Sequence, residues 1–249
     1  MSLETEIEAK LASNSSPFAI FDFDNTCIVN DIGEATFAYV CRHKLLKDTT
    51  LIESADGDYH EAVFRKYYEM YSSGDVKAAY LLNAQMFSGF TSEEAGAIVQ
   101  KVLEEEGSEI QKTELYGVSV NKGLALRSHV IELMQFLKSH TVTIWLVSAS
   151  NEICVKVAMD HFGISEDLIG VRLVEADGKF TKEFEYPIPV IEGKVECMRK
   201  YIDPSANPLL VIDDSTTGLP ILETAAIPVA VGRNNALTRE AEKRGWHVI

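Results

Sequence analysis

The chain is short of basic residues, has few cysteines and contains no long apolar run. It holds 23 Lys and Arg against 38 Asp and Glu over 249 residues, a formal net charge of -15. Nucleic-acid binding needs clustered cations against phosphates, so this balance argues against a nucleic-acid partner. It argues equally against an anionic membrane surface. The four cysteines, Cys27, Cys41, Cys154 and Cys197, include no CxxC pair. They are too few and too scattered for a disulfide scaffold or a zinc site, and read as buried, reduced thiols. No segment approaches the length of a transmembrane span, and Met1 to Ser16 has no apolar stretch of signal-peptide length. The expectation is a cytoplasmic protein. There is no GxSxG elbow, no GxxxxGK[ST] loop and no HExxH pair among the six histidines.

What is present begins with Phe18-Ala19-Ile20-Phe21-Asp22-Phe23-Asp24-Asn25-Thr26. The apolar run reads as a strand buried on both faces. Side chains two apart on a strand point the same way, so Asp22 and Asp24 share a side at its carboxyl end. Two carboxylates crowded there repel each other unless a cation joins them. The pattern points to a bound metal and to phosphoryl chemistry.

The 249 residues suffice for one large domain or a core domain with an insertion, and the 46% hydrophobic content gives ample apolar material for a core. Glu4 to Leu11 suits a short amphipathic helix. From about residue 30 to 121 the pattern is helical throughout, with helices near Gly33–Lys44 and Tyr59–Tyr71 and N-caps at Asp75 and Thr91. Thr91-Ser92-Glu93-Glu94 fits a capping box. After Gly123, strands and helices alternate. Strands are expected at Thr141–Val147, Leu209–Ile212 and Ile227–Val231. Helices are expected at Leu126–Leu137, Glu152–Phe162, Lys194–Tyr201, Leu219–Thr224 and Thr238–Arg244. Val171–Val174 and Phe180–Phe184 would pair as a hairpin around Ala176-Asp177-Gly178. Such alternation implies an α/β fold with a doubly wound parallel sheet, whose ligands bind outside the carboxyl ends of the strands. The expected organisation is a core of residues 1–29 and 123–249, with 30–122 as an inserted helical cap.

Three further candidates follow strands or open helices. Ser148 follows Trp145-Leu146-Val147, beside a helix start suited to phosphate. Lys194, in Glu192-Gly193-Lys194, offers a compact positive charge. Asp213-Asp214 follows Leu209-Leu210-Val211-Ile212 and could complete an oxygen-ligand Mg²⁺ site. Taken singly, Ser148 reads first as a helix cap and Lys194 as a surface lysine, and Asp213-Asp214 has a turn as its alternative. Their order across residues 18–222 resembles the four motifs of the haloacid dehalogenase superfamily, most of whose members are Mg²⁺-dependent phosphatases.

The resemblance implies a Rossmann-like core with the inserted cap, and roles for matching residues. Asp22 would be the nucleophile, forming an aspartyl-phosphate. Asp24 would act as general acid and then base, and Ser148 and Lys194 would hold the phosphoryl oxygens. Mg²⁺ would be bound by the Asp22 carboxylate, the Asp24 backbone carbonyl and an acid of the last motif. Many relatives read Gly-Asp-x-x-x-Asp there. Here, if Asp214 takes the first position, Gly218 stands at the second, with Asp213 as the compensating acid. Asp214 is the expected ligand and Asp213 the alternative. Asn25, Thr26 and Ala149, beside these motifs, join the candidate substrate contacts.

The insertion after the first motif is similar to that of the phosphoserine phosphatase branch, whose members read a substrate amino group with an acid soon after DxDxT. Asp31 and Glu34 are the candidates, although acids also suit a first helical turn. Asn30-Asp31-Ile32-Gly33-Glu34-Ala35 and Gln85-Met86-Phe87-Ser88-Gly89-Phe90 resemble the phosphocholine phosphatase group. Tyr39, Tyr59, Tyr67, Tyr68, Tyr71 and Tyr80 could face a quaternary ammonium or simply pack helices. Residues 30–125 carry 16 acids and 9 bases, a net of -7, which favours a cationic head group over a sugar phosphate. The expected partner is a small phosphate ester, with phosphocholine first and phosphoserine or phosphoethanolamine second. Phosphotransfer to an acceptor other than water, a non-catalytic binding role and a homodimer all stay open.

Overall fold

The computed structural model describes residues 2–12, 17–54 and 57–249. The chain runs α1 (Leu3–Leu11), β1 (Phe18–Phe21), β2 (Ile28–Val29), α2 (Ile32–Arg42), α3 (Tyr59–Ser73), α4 (Val76–Ala84) and α5 (Ser92–Glu106). It continues through β3 (Gln111–Leu115), β4 (Val118–Lys122), β5 (Ala125–Leu126), α6 (Ser128–Ser139), β6 (Thr143–Asn151), α7 (Glu152–Phe162) and β7 (Asp167–Val171). The remainder is β8 (Leu173–Ala176), β9 (Lys179–Phe184), α8 (Glu192–Tyr201), β10 (Leu210–Asp213), α9 (Leu219–Leu222), β11 (Ile227–Ala230), α10 (Ala236–Arg244) and β12 (His247–Val248).

Six strands form one parallel sheet in the order β12-β11-β10-β1-β6-β7. β1 is buried on both faces, and its alternation divides the core. Ala19 and Phe21 join a cluster with Val130, Leu137, Cys154 and Met159 of α6 and α7. Phe18 and Ile20 join another with Cys197, Leu222 and Leu237 of α8, α9 and α10. Helices therefore cover both faces, as the near-continuous apolar strands require. The chain leaves β1 for β6 on one side and reaches β10 on the other, so a crevice opens at the carboxyl end of β1.

Between β2 and β5 lie α2 to α5 and the β3–β4 hairpin. Asp31, Asp58 and Asp75 cap the first three helices. Thr91 caps α5 with both bonds of the capping box. Residues 111–122 depart from the expected unbroken helical pattern. Lys112-Thr113-Glu114-Leu115 and Val118-Ser119-Val120 alternate, and Tyr116 and Gly117 both take positive φ, 51° and 74°. That is the twist a two-residue hairpin turn needs. The second hairpin closes over Asp177-Gly178 as expected, but begins at Leu173. Val171 instead ends β7, an edge strand of the main sheet that the sequence pattern did not separate. The run Gln85–Phe90 packs inward and pairs with this hairpin through Gly89 N–H to Phe180 O and Phe180 N–H to Phe90 O. No helix among the described residues is long and apolar enough to cross a membrane.

Candidate active site

Strand register assembles the site. Phe21 lies opposite Ile212 of β10 and Leu146 of β6. Asp22 continues the ladder with its N–H on Ile212 O at 3.0 Å, so it leaves the sheet beside Asp213. Ser148 emerges from the neighbouring strand. Lys194 enters from the first turn of α8, where Gly193 allows close approach. A Cβ at Gly193 would stand 1.8 Å from the Ile188 carbonyl oxygen.

Lys194 is 3% exposed and sits between two carboxylates. Its Nζ donates to Asp22 Oδ1 at 2.9 Å and to Asp213 Oδ2 at 2.8 Å. The Thr26 hydroxyl donates to Asp22 Oδ2 at 2.9 Å, so both oxygens of Asp22 are oriented. Asp24 accepts from the Ile32 N–H at 2.8 Å on Oδ1 and from the Ser150 hydroxyl at 2.7 Å on Oδ2. Ile32 is the first residue of α2, so this carboxylate sits at a helix N-terminus, where negative charge is favoured.

Oxygens of Asp22, Asp213 and Asp214 lie within 4.8 Å of one another. This all-carboxylate donor set suits a hard divalent cation such as Mg²⁺ rather than a thiolate- or imidazole-seeking metal. Burial pushes the Asp22 carboxyl up to about 7, outweighing the attraction of Lys194. Burial likewise lifts Asp24 to about 6 and Asp214 to about 8, the latter with help from the Asp22 and Asp213 charges. At Lys194, burial pulls downward, but the Asp213 and Asp22 carboxylates outweigh it and hold the ammonium above its ordinary range. Asp213 also settles the space left at Gly218, as a Cβ there would lie 2.2 Å from the Asp213 carboxyl carbon.

Asp22, Asp24, Ser148, Ser150, Lys194 and Asp214 line a cavity of about 300 Å³, together with residues of the segment after β1. Asp31 caps α2 by accepting from the Glu34 N–H at 2.7 Å, and Tyr68 Oη donates to Glu34 Oε1 at 2.7 Å. Burial raises both carboxyls, Asp31 strongly, with the neighbouring Asp24 and Glu34 charges adding to the effect at Asp31. Tyr67, Tyr68, Tyr71 and Tyr80 complete an aromatic wall, with the Tyr67 and Tyr68 ring centroids 4.9 Å apart.

Of the residues singled out in the sequence, Asp22, Asp24, Asn25, Asp31, Glu34, Ser148, Ala149, Lys194 and Asp214 all line this cavity. Asp213 stands just behind it against Lys194. Thr26, expected to touch substrate, is fully buried and spends its hydroxyl on Asp22. Tyr39 and Tyr59 are not among the residues lining the cavity, and the Tyr59 hydroxyl instead accepts a hydrogen bond from the Leu51 N–H at 2.9 Å. The sequence reading missed Ser150, two residues past Ser148, and the β3–β4 residues Lys112, Ser119 and Asn121, which line the same cavity. Alternation around Tyr116-Gly117 was the signal for the hairpin.

Residues 19–211 match the family of haloacid dehalogenase-like hydrolases. The chain is 25% identical over 240 residues to a histidinol-phosphatase from Neisseria meningitidis, covering 93% of this chain and 97% of that protein. It is 27% identical over 254 residues to a phosphorylcholine phosphatase from Pseudomonas aeruginosa, covering 86% of this chain and 72% of that protein. A substrate-bound phosphoserine phosphatase structure superposes with a TM-score of 0.59 at 14% identity, over 95% of this chain and 93% of that one, which is a likeness of fold. The chain belongs to the haloacid dehalogenase-like hydrolases.

Proposed function

We propose that this protein is a Mg²⁺-dependent phosphomonoesterase whose substrate is a small ester of a positively charged alcohol, cleaved through an aspartyl-phosphate on Asp22. Phosphate-ester hydrolysis as such rests on the family and on two curated relatives that are both phosphatases. The observation that supports the finer reading is that one cavity is lined both by acids around Lys194 and by Asp31, Glu34 and four tyrosines.

In this reading Asp22 attacks phosphorus, its two carboxylate oxygens oriented by Lys194 and Thr26 respectively. The bond from phosphorus to the alcohol oxygen breaks, and Asp24 gives that oxygen its proton. Asp24 then takes a proton from water as the water attacks phosphorus. This frees the Asp22 carboxylate and releases inorganic phosphate. Splitting the transfer gives two easier steps. Ser148 and Lys194 hold the phosphoryl oxygens, and positioning with charge neutralisation supplies most of the catalysis. The carboxylates of Asp22, Asp213 and Asp214, with the Asp24 backbone carbonyl, would hold Mg²⁺. When bound, the ion neutralises charge on the phosphoryl oxygens.

Residues 30–122 act as the cap, contributing the walls that face the alcohol. Asp31 and Glu34 supply negative charge for a cation, and each tyrosine ring adds about 0.5–2 kcal/mol of cation–π attraction. Phosphocholine is the first candidate, followed by phosphoethanolamine and phosphoserine. The test is phosphate release from these three and from a sugar phosphate, with Mg²⁺, with EDTA, and with Asp22→Asn. Mg²⁺-dependent turnover of a cationic ester, lost in Asp22→Asn, supports the reading. Turnover of the sugar phosphate alone removes the cation site, and full activity in Asp22→Asn removes the nucleophile.

A further inference from the structure

The structure assigns Ser150 the task of positioning Asp24, dividing labour between two serines that stand two residues apart on β6. The inference rests on the reading of Asp24 as the general acid. Ser150 Oγ is 2.7 Å from Asp24 Oδ2, whereas Ser148 Oγ is 3.4 Å from the same atom, at the limit of a hydrogen bond. Ser148 Oγ is already an acceptor for the Ser150 N–H at 3.1 Å. With that lone pair used and its contact to Asp24 stretched, the Ser148 hydroxyl proton is available to a phosphoryl oxygen. Ser150 holds the acid in its place.

The second oxygen of Asp24 is fixed by the Ile32 N–H at 2.8 Å. Asp24 is thus clamped between β6 and the first turn of α2, with its carboxylate plane set by one bond from each. A carboxylate restrained at both oxygens stays within reach of the leaving oxygen, and proton transfer is sensitive to such placement. The clamp also accounts for Gly33. A Cβ there would lie 2.8 Å from Ser150 Oγ and 3.2 Å from Asp31 Oδ1. Any side chain at 33 would press on the hydroxyl that holds Asp24, so Gly33 and Ser150 form a matched pair.

A group that positions a general acid matters in proportion to how much the leaving group needs a proton. Two aryl esters of similar shape separate this role from mere packing. The phenolate of p-nitrophenyl phosphate departs without protonation, while that of phenyl phosphate, a far stronger base, needs it. The measurement is single-turnover release of each phenol by the Mg²⁺-loaded enzyme, which reads phosphorylation of Asp22 alone. Ser150→Ala is expected to slow phenyl phosphate about tenfold more than p-nitrophenyl phosphate, a fraction of what a general acid supplies. Ser150→Thr, which keeps the hydroxyl, is expected to restore most of that ratio. Asp24→Asn should show the same selectivity in stronger form. If Asp24→Asn is selective and Ser150→Ala slows both esters equally, or neither, the positioning role is overturned. If Asp24→Asn itself slows both equally, the acid assignment fails, and the inference fails with it.

Discussion

The carboxyl carbon of Asp213 lies 2.2 Å from the point where a Cβ on Gly218 would stand. The two positions share one space. In this chain the acid that fills it comes from the strand end rather than from the loop five residues later. Asp213 is 1% exposed, holds Lys194 at 2.8 Å, and accepts from the Ser215 N–H at 3.0 Å on its other oxygen. Gly218→Ala is therefore expected to push Asp213 aside, at an overpacking cost of about 1–3 kcal/mol. Mg²⁺ affinity measured by calorimetry should fall together with kcat. Gly218→Asp should not rescue, because two carboxyl groups cannot occupy the space of one. Unchanged Mg²⁺ affinity in Gly218→Ala would mean that Asp213 does not serve the metal.

Lys194 gives a second prediction. Replacing it with Met leaves Asp22 and Asp213 buried without their cation. Removing one partner of a buried ion pair costs about 3–5 kcal/mol. The melting temperature of the metal-free variant should fall by roughly 10 °C, since about 2–4 °C accompanies each kcal/mol in a chain of this size. Added Mg²⁺ should recover part of that loss, while activity should stay at least about a hundredfold down, as expected when a charged group facing the phosphoryl oxygens is removed. A Met variant as stable as the parent would contradict the ion-pair account.

Stability should depend on pH in a direction opposite to that of an ordinary acidic protein. Asp22, Asp24 and Asp214 sit at about 7, 6 and 8 in the metal-free fold, against 3.8 for an ordinary aspartate. Between these limits the folded chain holds more protons than the unfolded one, so stability falls as pH rises. The contribution is fully present below about pH 4 and is lost progressively as pH climbs through 6 to 8. Mg²⁺ binds the ionised carboxylates and so releases protons. Melting curves of the metal-free protein should show a decline from pH 5 to pH 8, and Mg²⁺ should raise the melting temperature more at pH 8 than at pH 6. A stabilisation independent of pH would mean that these carboxyls are already ionised.

The proposed recognition of a cationic group is tested by substitution at Glu34. Glu34→Gln keeps the shape and the hydrogen bond to Tyr68 but removes the charge. KM for a cationic ester should rise about tenfold, equivalent to roughly 1.4 kcal/mol. KM for p-nitrophenyl phosphate should hardly move. Equal effects on both would assign Glu34 to packing rather than to recognition.

Most of the candidate site contributed by the central sheet was legible in the sequence, because strand-end residues announce themselves. An apolar run fixes the strand, and the next acid or serine must leave it at the carboxyl edge. Asp22, Ser148 and Asp214 were all reached this way. The sequence left Asp214 and Asp213 as alternatives, and only the turn geometry shows that Asp213 fills the space beside Gly218. Ser150 was hidden for a similar reason. β6 runs on to Asn151, past the apolar stretch that marked its expected end, and so carries a second serine into the site. The residues contributed by the segment after β1 were read unevenly. Asp31 and Glu34 came from the resemblance to the phosphoserine phosphatase branch, with helix-start chemistry as the competing reading, and the tyrosine stripe proved to be both packing and cavity wall. The β3–β4 hairpin was lost because its mixed polar strands, with one face exposed, lack the long apolar runs that identify core strands.

The most direct test of the account is to ask which atom carries the phosphoryl group. The enzyme is mixed with Mg²⁺ and p-nitrophenyl phosphate, quenched in acid during turnover and reduced with borohydride, which converts an acyl phosphate carboxyl to an alcohol. Peptide mass spectrometry then locates the reduced residue. The account predicts homoserine at position 22 and none at 24, 213 or 214. Turnover with position 22 unmodified, or homoserine at another aspartate, would contradict it.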